Sequence, residues 1–205
     1  ISFAALLGSK RVIFDFSDPV DAIGSGWRLR IRLLAFDMMV RSAKAVLVEN
    51  RYYQRKLSDR NVSQAYGPVD VGRYQKSRTE SASRGLSSRL RVGWTGSPST
   101  LRFIEPLFAP LDALAAEFEI ELVLIGVSGS GYSFQQLPVT CLPWSEEVEF
   151  REVPQFDLGL HSLDQTDLSL KRGAGKIFIY MAAGVPFITD ARGIGLDVIT
   201  ESGAG

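Results

Sequence analysis

The segment KRGAGKIFIYMAAGVP, Lys171–Pro186, gathers the residue types that handle an anion. Two cations and the small residues Gly173, Ala174 and Gly175 precede a helical run. Lys176 falls in the first turn of that helix, where the macrodipole disfavours a positive side chain. A bound diphosphate would resolve this tension; an ordinary solvated lysine is the alternative. A second segment, GWTGSPST (Gly93–Thr100), joins a strand to a helix. Gly93 and Gly96 let the backbone pass close to a ligand, and Ser97 is placed to cap a helix that starts at Pro98. Backbone N–H groups there favour a phosphate, although a tight, well-capped turn needs the same residues. His161, the one histidine, is either a general base or a structural residue at a strand end. Trp144 reads as part packing and part ligand wall.

These residues need a scaffold, and hydrophobic patterning supplies one. Strands are expected at Val12–Phe16, Val46–Val48, Gln64–Tyr66, Arg89–Trp94, Ile120–Ile125, Val139–Leu142, Phe156–Leu160 and Val185–Thr189. Helical spacing of Leu29, Leu33, Phe36, Met39 and Val40 predicts a helix from Trp27 to about Ala43. Arg51–Leu57 is expected to be helical and exposed. A single long helix is expected from Pro98 through Phe118, with Leu101, Ile104, Leu107, Phe108, Leu111, Leu114, Ala115 and Phe118 in its buried stripe. A short acidic helix follows near Glu146–Val153. Further helices are expected at Gly175–Ala183 and from Leu196. Residues 71–88 hold few apolar side chains and read as a solvated linker. Strands alternating with helices argue for an α/β fold with a Rossmann-like, doubly wound parallel sheet. Ligands of such sheets bind at the carboxyl ends of the strands, so the loops that matter are those beginning at Gly93, Gly126, Leu142, Leu160 and Thr189.

Composition narrows the function classes. The chain has 205 residues, with 23 Lys plus Arg against 23 Asp plus Glu. Net charge therefore gives no reason to expect nucleic-acid binding. One cysteine, Cys141, and one histidine cannot build an intrachain disulfide or a Cys/His zinc cage. Asp15 and Asp18 could suggest a metal motif, but Asp and Ser at a strand end more simply make a turn. The Gly/Ser-rich residues Ser128–Gly131 lack the Lys-Ser/Thr ending of a phosphate loop. Arg28, Arg30, Arg32, Arg41 and Lys44 decorate the first long helix; a solvated face is the simpler reading and an anionic membrane the other. The chain opens at Ile1 without an initiator Met and stops after ESGAG, so a piece of a longer protein is expected.

In order, GWTGSPST, ELVLIG (Glu121–Gly126), FDLGLHSL (Phe156–Leu163) and GAGKIFIYMAAGVPFIT (Gly173–Thr189) resemble the C-terminal half of GT-B glycosyltransferases of the group 1, family 4-like type. FDFSD (Phe14–Asp18), AVLVENRYYQRKL (Ala45–Leu57) and YGPVDVGRY (Tyr66–Tyr74) resemble the end of the acceptor-side domain and the crossing out of it. The most specific part is the Lys176–Tyr180–Gly184–Pro186 pattern. The resemblance implies an acceptor-side remnant at 1–70, a linker at 71–88 and a donor domain at 89–205. It implies a hexosyltransferase-like enzyme using a nucleotide-diphosphate sugar in a cleft between two domains, with neither cofactor nor metal. The base would lie near Gly126 and Leu142–Trp144. The diphosphate would meet Gly96–Ser97 and Gly173–Lys176, and the sugar would lie near His161. His161 and Lys176 would be the catalytic residues, and Tyr180 a further donor contact. An unknown acceptor, cell-surface polysaccharide or glycoconjugate synthesis, a cytoplasmic location and peripheral attachment to the inner membrane face are the matching expectations. Two departures stand out. Lys171 and Ile179 occupy the places of a common glutamate pair, and Trp94 and Thr100 those of a common Arg and Lys. An epimerase-like enzyme or a non-catalytic nucleotide-binding module on the same fold is the alternative.

Overall fold

The computed structural model describes residues 12–19, 21–22, 24–82, 89–127, 132, 134–164, 166–190 and 192–203. Residues 83–88 of the expected linker and Ser128–Gly131 lie outside the described residues. The chain divides into two compact units. Unit 1 lies within residues 1–68, 165–174 and 191–205; unit 2 within 69–164 and 175–190.

Unit 2 is built on a parallel sheet of β4 (Leu90–Thr95), β5 (Ile120–Ile125), β6 (Val139–Leu142), β7 (Leu158–His161) and β8 (Phe187–Thr189), in the order β6-β5-β4-β7-β8. The reason lies in β5. Leu122 and Leu124 join the core on one face, while Val123 and Ile125 join the core on the other, and all four are fully buried. A strand buried on both faces is a near-continuous apolar run, and its helices must cover both sides. One layer is formed by α4 (Pro98–Leu101) and α5 (Phe108–Leu114), through Leu101, Phe108 and Leu111. The other includes α3 (Val71–Ala82) and α7 (Gly175–Ala183), through Tyr74, Tyr180 and Ala183. Helix α6 (Glu146–Glu152) starts at Ser145, whose hydroxyl accepts from the Val148 N–H at 3.2 Å.

Two expectations are corrected here. The single helix from Pro98 to Phe118 is broken into α4, a 3-10 turn at Glu105–Leu107 and α5, and Leu114 and Phe118, expected in its buried stripe, are exposed. Pro106 has no N–H to give the carbonyl of Arg102, and its ring crowds that carbonyl. The stretch read as linker contains α3. Its sequence is polar because few of its side chains face the core: Tyr74 is buried, and its ring lies 4.3 Å from that of Phe150. Arg78 donates to the carbonyl of Ala183 at 2.8 Å.

Unit 1 holds a three-stranded parallel sheet of β1 (Ile13–Phe16), β2 (Ala45–Val48) and β3 (Val62–Gln64), in that order. Strand β3 starts two residues before its expected position. Helix α1 (Gly26–Ser42) connects β1 to β2, and α2 (Arg51–Lys56) connects β2 to β3. Their core is an aromatic cluster in which Phe16 meets Phe36 at 5.2 Å and Tyr53 at 4.8 Å. Helix α2 is not wholly exposed as expected, since Tyr53 is buried and donates its hydroxyl to Asp21. Helix α8 (Gly193–Ser202) belongs to this unit, where Arg51 pairs with Asp197 at 3.5 Å.

Candidate functional site

The carboxyl ends of β4, β5 and β6 in unit 2 are stitched into one rim. The Gly96 N–H donates to Ile125 O at 2.9 Å, and the Gly126 N–H donates to Leu142 O at 2.8 Å. Gly126 has φ +93°, and a Cβ placed on it would stand 1.8 Å from the Gly96 carbonyl oxygen. Both the backbone conformation and the space demand glycine. A Cβ on Gly96 would stand 2.8 Å from Cε of Lys176 and 2.6 Å from the Trp94 ring. The Lys176 stem therefore lies directly on the Gly96 backbone, and its Nζ sits 5.5 Å from the Trp94 ring centroid, a cation–π distance. The two segments singled out by their anion-handling residues thus meet at Gly96 and Lys176.

His161 closes β7 on the same rim. It is buried, and its Nδ1 lies 2.7 Å from Thr189 Oγ1 at the end of β8. Burial, and then the charge of Lys176, depress its pKa to about 4, against a smaller opposing pull from Asp190. The imidazole is therefore neutral at pH 7. Asp190 holds the loop after β7 by accepting from Ser162 Oγ at 3.0 Å and the Leu163 N–H at 2.6 Å.

Trp144 is 59% exposed, yet its indole N–H is anchored to Glu149 Oε2 at 3.1 Å. The same oxygen accepts from the buried Thr95 hydroxyl at 2.8 Å, and Oε1 accepts from Tyr74 at 3.1 Å. This carboxylate fixes a flat aromatic face beside the rim. Leu142 is half-buried and packs against the core of α7 and β5.

Four expected contact residues take different roles. Tyr180 is fully buried, and its hydroxyl donates to Leu160 O at 3.0 Å. It braces α7 against β7 and presents no surface to a ligand. Ser97 stands at the N-cap but its side chain caps nothing; its Oγ lies 2.9 Å from Ser99 Oγ. The helix it opens has four residues, so the dipole expected there is small. Gly173 and Ala174 belong to unit 1, apart from Gly175 and Lys176 in unit 2. The Ala174 N–H, expected to face a diphosphate, instead donates to the Glu49 carboxylate, as does the Gly67 N–H. A Cβ on Gly173 would fall 1.9 Å from Glu49 Oε2. Burial raises the pKa of Glu49; those two N–H bonds pull it down, and Asp15 and Asp18 push it up.

Sequence reasoning marked Thr189 only as the start of a loop at a strand end, and missed Thr95, Glu149, Asp190 and Glu49. Glu149 is one of four glutamates in α6, and nothing in their spacing marks the one that reaches Thr95 and Trp144. The carboxyl-end rule marks Thr189, the last residue of β8, and Asp190 is the next residue along.

No family model matches this sequence, and no curated protein does. Solved structures do. HepE of Anabaena, determined in complex with UDP and glucose, superposes with a TM-score of 0.63 over 92% of this chain and 55% of its own, at 14% identity. Sucrose-phosphate synthase of Thermosynechococcus elongatus gives 0.59 over 88% of this chain and 50% of its own, at 15% identity. The chain spans about half the length of these structures. At such identity the likeness is one of fold: the chain has the Rossmann-like fold of GT-B glycosyltransferases.

Proposed function

We propose that this chain carries the donor-binding part of a glycosyltransferase that moves a sugar from a nucleotide-diphosphate sugar to an acceptor. The observation that carries the reading is the meeting of Lys176 with the Gly96 backbone on the carboxyl rim of unit 2. A bare backbone and a cation at the end of a parallel sheet suit a diphosphate. In the reaction, an acceptor oxygen bonds the anomeric carbon as the bond from that carbon to the diphosphate oxygen breaks. The electron pair leaves with the diphosphate, and the acceptor proton passes to a basic oxygen or nitrogen nearby. Lys176 meets the growing negative charge without a metal ion, which is electrostatic catalysis. Trp144, anchored by Glu149, offers its face to the base. His161, neutral and weakly basic, suits a hydrogen bond to the donor sugar better than proton abstraction, which calls for a pKa near the working pH.

The fold of HepE, a protein solved with UDP and glucose, is consistent with this reading. The acceptor belongs to cell-surface polysaccharide or glycoconjugate synthesis, and the reaction is cytoplasmic. The replacement of a common glutamate pair by Lys171 and Ile179 favours a second reading, an epimerase-like enzyme or a non-catalytic nucleotide-binding module. Recovery of an altered free nucleotide sugar would select the epimerase. A thermal-shift screen of nucleoside diphosphates and their sugars identifies the ligand, since one that binds the native state raises the midpoint. By calorimetry, Lys176→Ala should weaken that nucleoside diphosphate roughly tenfold to a hundredfold, the scale of a charged hydrogen bond. Unchanged affinity in a folded variant would remove Lys176 from the phosphate site.

A further inference from the structure

Gly159 and His161 lie two residues apart in β7 and therefore share one face of the sheet. A Cβ on Gly159 would stand 2.8 Å from the Tyr180 ring, so that face is the one covered by α7. His161 thus lies on the side of α7, whose first turn carries Lys176. In the parallel register it sits beside Thr189 of β8, with Nδ1 turned to the Thr189 hydroxyl. The two nitrogens of an imidazole point in nearly opposite directions. Since Nδ1 is turned to β8, Nε2 is turned toward β4, which pairs with the other side of β7 and leads to the rim at Gly96. Among the described residues Nε2 has no hydrogen-bond partner, although His161 is only 5% exposed. A polar nitrogen in so buried a ring calls for a partner, and none of the described residues supplies it.

The Thr189 proton decides what that partner must be. A neutral imidazole carries one N–H donor and one acceptor nitrogen. The Thr189 hydroxyl has two acceptors near it, Nδ1 at 2.7 Å and the Asp190 carbonyl at 3.5 Å. The second lies beyond the range of a sound O–H bond, so the hydroxyl donates to Nδ1. The imidazole proton then stands on Nε2. The charge of Lys176 keeps a second proton off the ring. Nε2–H and the Lys176 ammonium are both donors, so the group they meet is an acceptor oxygen. We propose that Thr189 is a positioning residue, which holds His161 as an Nε2–H donor aimed at a sugar oxygen of a bound nucleotide-diphosphate sugar. The identity of the ligand rests on the proposed function; the tautomer does not. In this tautomer Nε2 has no lone pair with which to take the acceptor's proton. His161 therefore holds the donor, and proton removal falls to another group.

The chain has one histidine, so its ring nitrogens can be read without assignment. The test is proton–nitrogen correlation NMR of the full chain with isotope-labelled histidine at pH 7. Nδ1 is expected to resonate as an unprotonated nitrogen and Nε2 as a protonated one. Thr189→Val removes the hydroxyl at nearly equal volume and should shift the ring toward the other tautomer, while Thr189→Ser should keep the parent pattern. Calorimetry then uses the sugar that binds best from a panel of UDP-, GDP-, ADP- and dTDP-sugars, and its free nucleoside diphosphate. Thr189→Val should weaken the nucleotide sugar roughly fivefold, the scale of one neutral hydrogen bond, and leave the free diphosphate bound as in the parent. Thr189→Ser should restore the affinity. A parent ring protonated on Nδ1, a Thr189→Val spectrum like the parent's, or an equal loss for both ligands would overturn the proposal. A chain that shows the Nε2–H tautomer but binds no nucleotide sugar would overturn the sugar contact together with the proposed function, and leave standing the hold of Thr189 on the ring.

Discussion

Strand β5 of unit 2 and helix α1 of unit 1 are both rich in apolar residues on two opposite faces, and only one of them buries both. In β5, alternate side chains enter two different cores, so every apolar residue from Leu122 to Ile125 has a partner. In α1, Phe36 and Val40 enter a core, while Trp27, Ile31 and Leu34 meet solvent. The difference teaches that an apolar pattern reports a face, not what covers it. A parallel strand is obliged to be covered because its neighbours reach it through crossovers that lay helices on the sheet. A helix on the outside of a sheet carries no such obligation. Its second apolar face stays exposed among the described residues.

The sharpest way to break that comparison is paired truncation. Leu124→Ala should cost about 2–5 kcal/mol, because a fully buried leucine leaves a cavity. Leu34→Ala, on the outer face of α1, should stay within about 0.5 kcal/mol. Urea unfolding measures both, and a large loss from Leu34→Ala would mean the outer stripe is a core after all.

The next effect sharpens the contrast by pH. An unfolded imidazole takes up its proton near 6.5, whereas buried His161 does so only near 4. Between these values the unfolded state binds more protons, so stability falls as the pH is lowered from about 6.5 to about 4 and then flattens. The drop should be on the order of 3 kcal/mol. His161→Gln should lose that slope while keeping those due to carboxylates. Lys176→Met should raise the His161 pKa in NMR titrations, since the lysine charge helps to depress it. An unmoved titration would show that the two side chains do not interact.

The smallest effect concerns the rim. Glu149→Ala leaves the buried Thr95 hydroxyl without its acceptor and releases the Trp144 indole N–H. A loss of about 1–3 kcal/mol is expected, the scale of a stranded buried polar group. A variant as stable as the parent would mean that Trp144 is held by packing alone.

Much of the fold was legible in the residues because local rules coincided with the tertiary outcome. The apolar runs at Ile120–Ile125 and Val139–Leu142 became β5 and β6 unchanged. Gly184, at φ +65°, ended α7 where its type predicted. Helix α3 was not legible, since its role rests on one buried tyrosine and one arginine reaching a carbonyl. The long helix after Ser97 was misread because buried periodicity outweighed Pro106 on paper, whereas the missing N–H prevailed in the fold. At the site, Lys176 and Gly96 were marked by residue type. Glu149 and Asp190 became visible only when the strands were laid side by side.

The sequence by itself determined the class: alternating strands and helices, glycines at strand ends, and a cation at a helix start. Those features act over a few residues, through backbone freedom and side-chain period. Tertiary structure alone decided which groups those features meet. It laid Lys176 on Gly96, buried His161 into neutrality and sealed Tyr180 away from any ligand. It also turned the Ala174 N–H to Glu49 instead of an open anion site. Each of these is a contact between residues far apart in the chain, and the energy of such a contact is set by burial and distance, neither of which is written in the order of the residues.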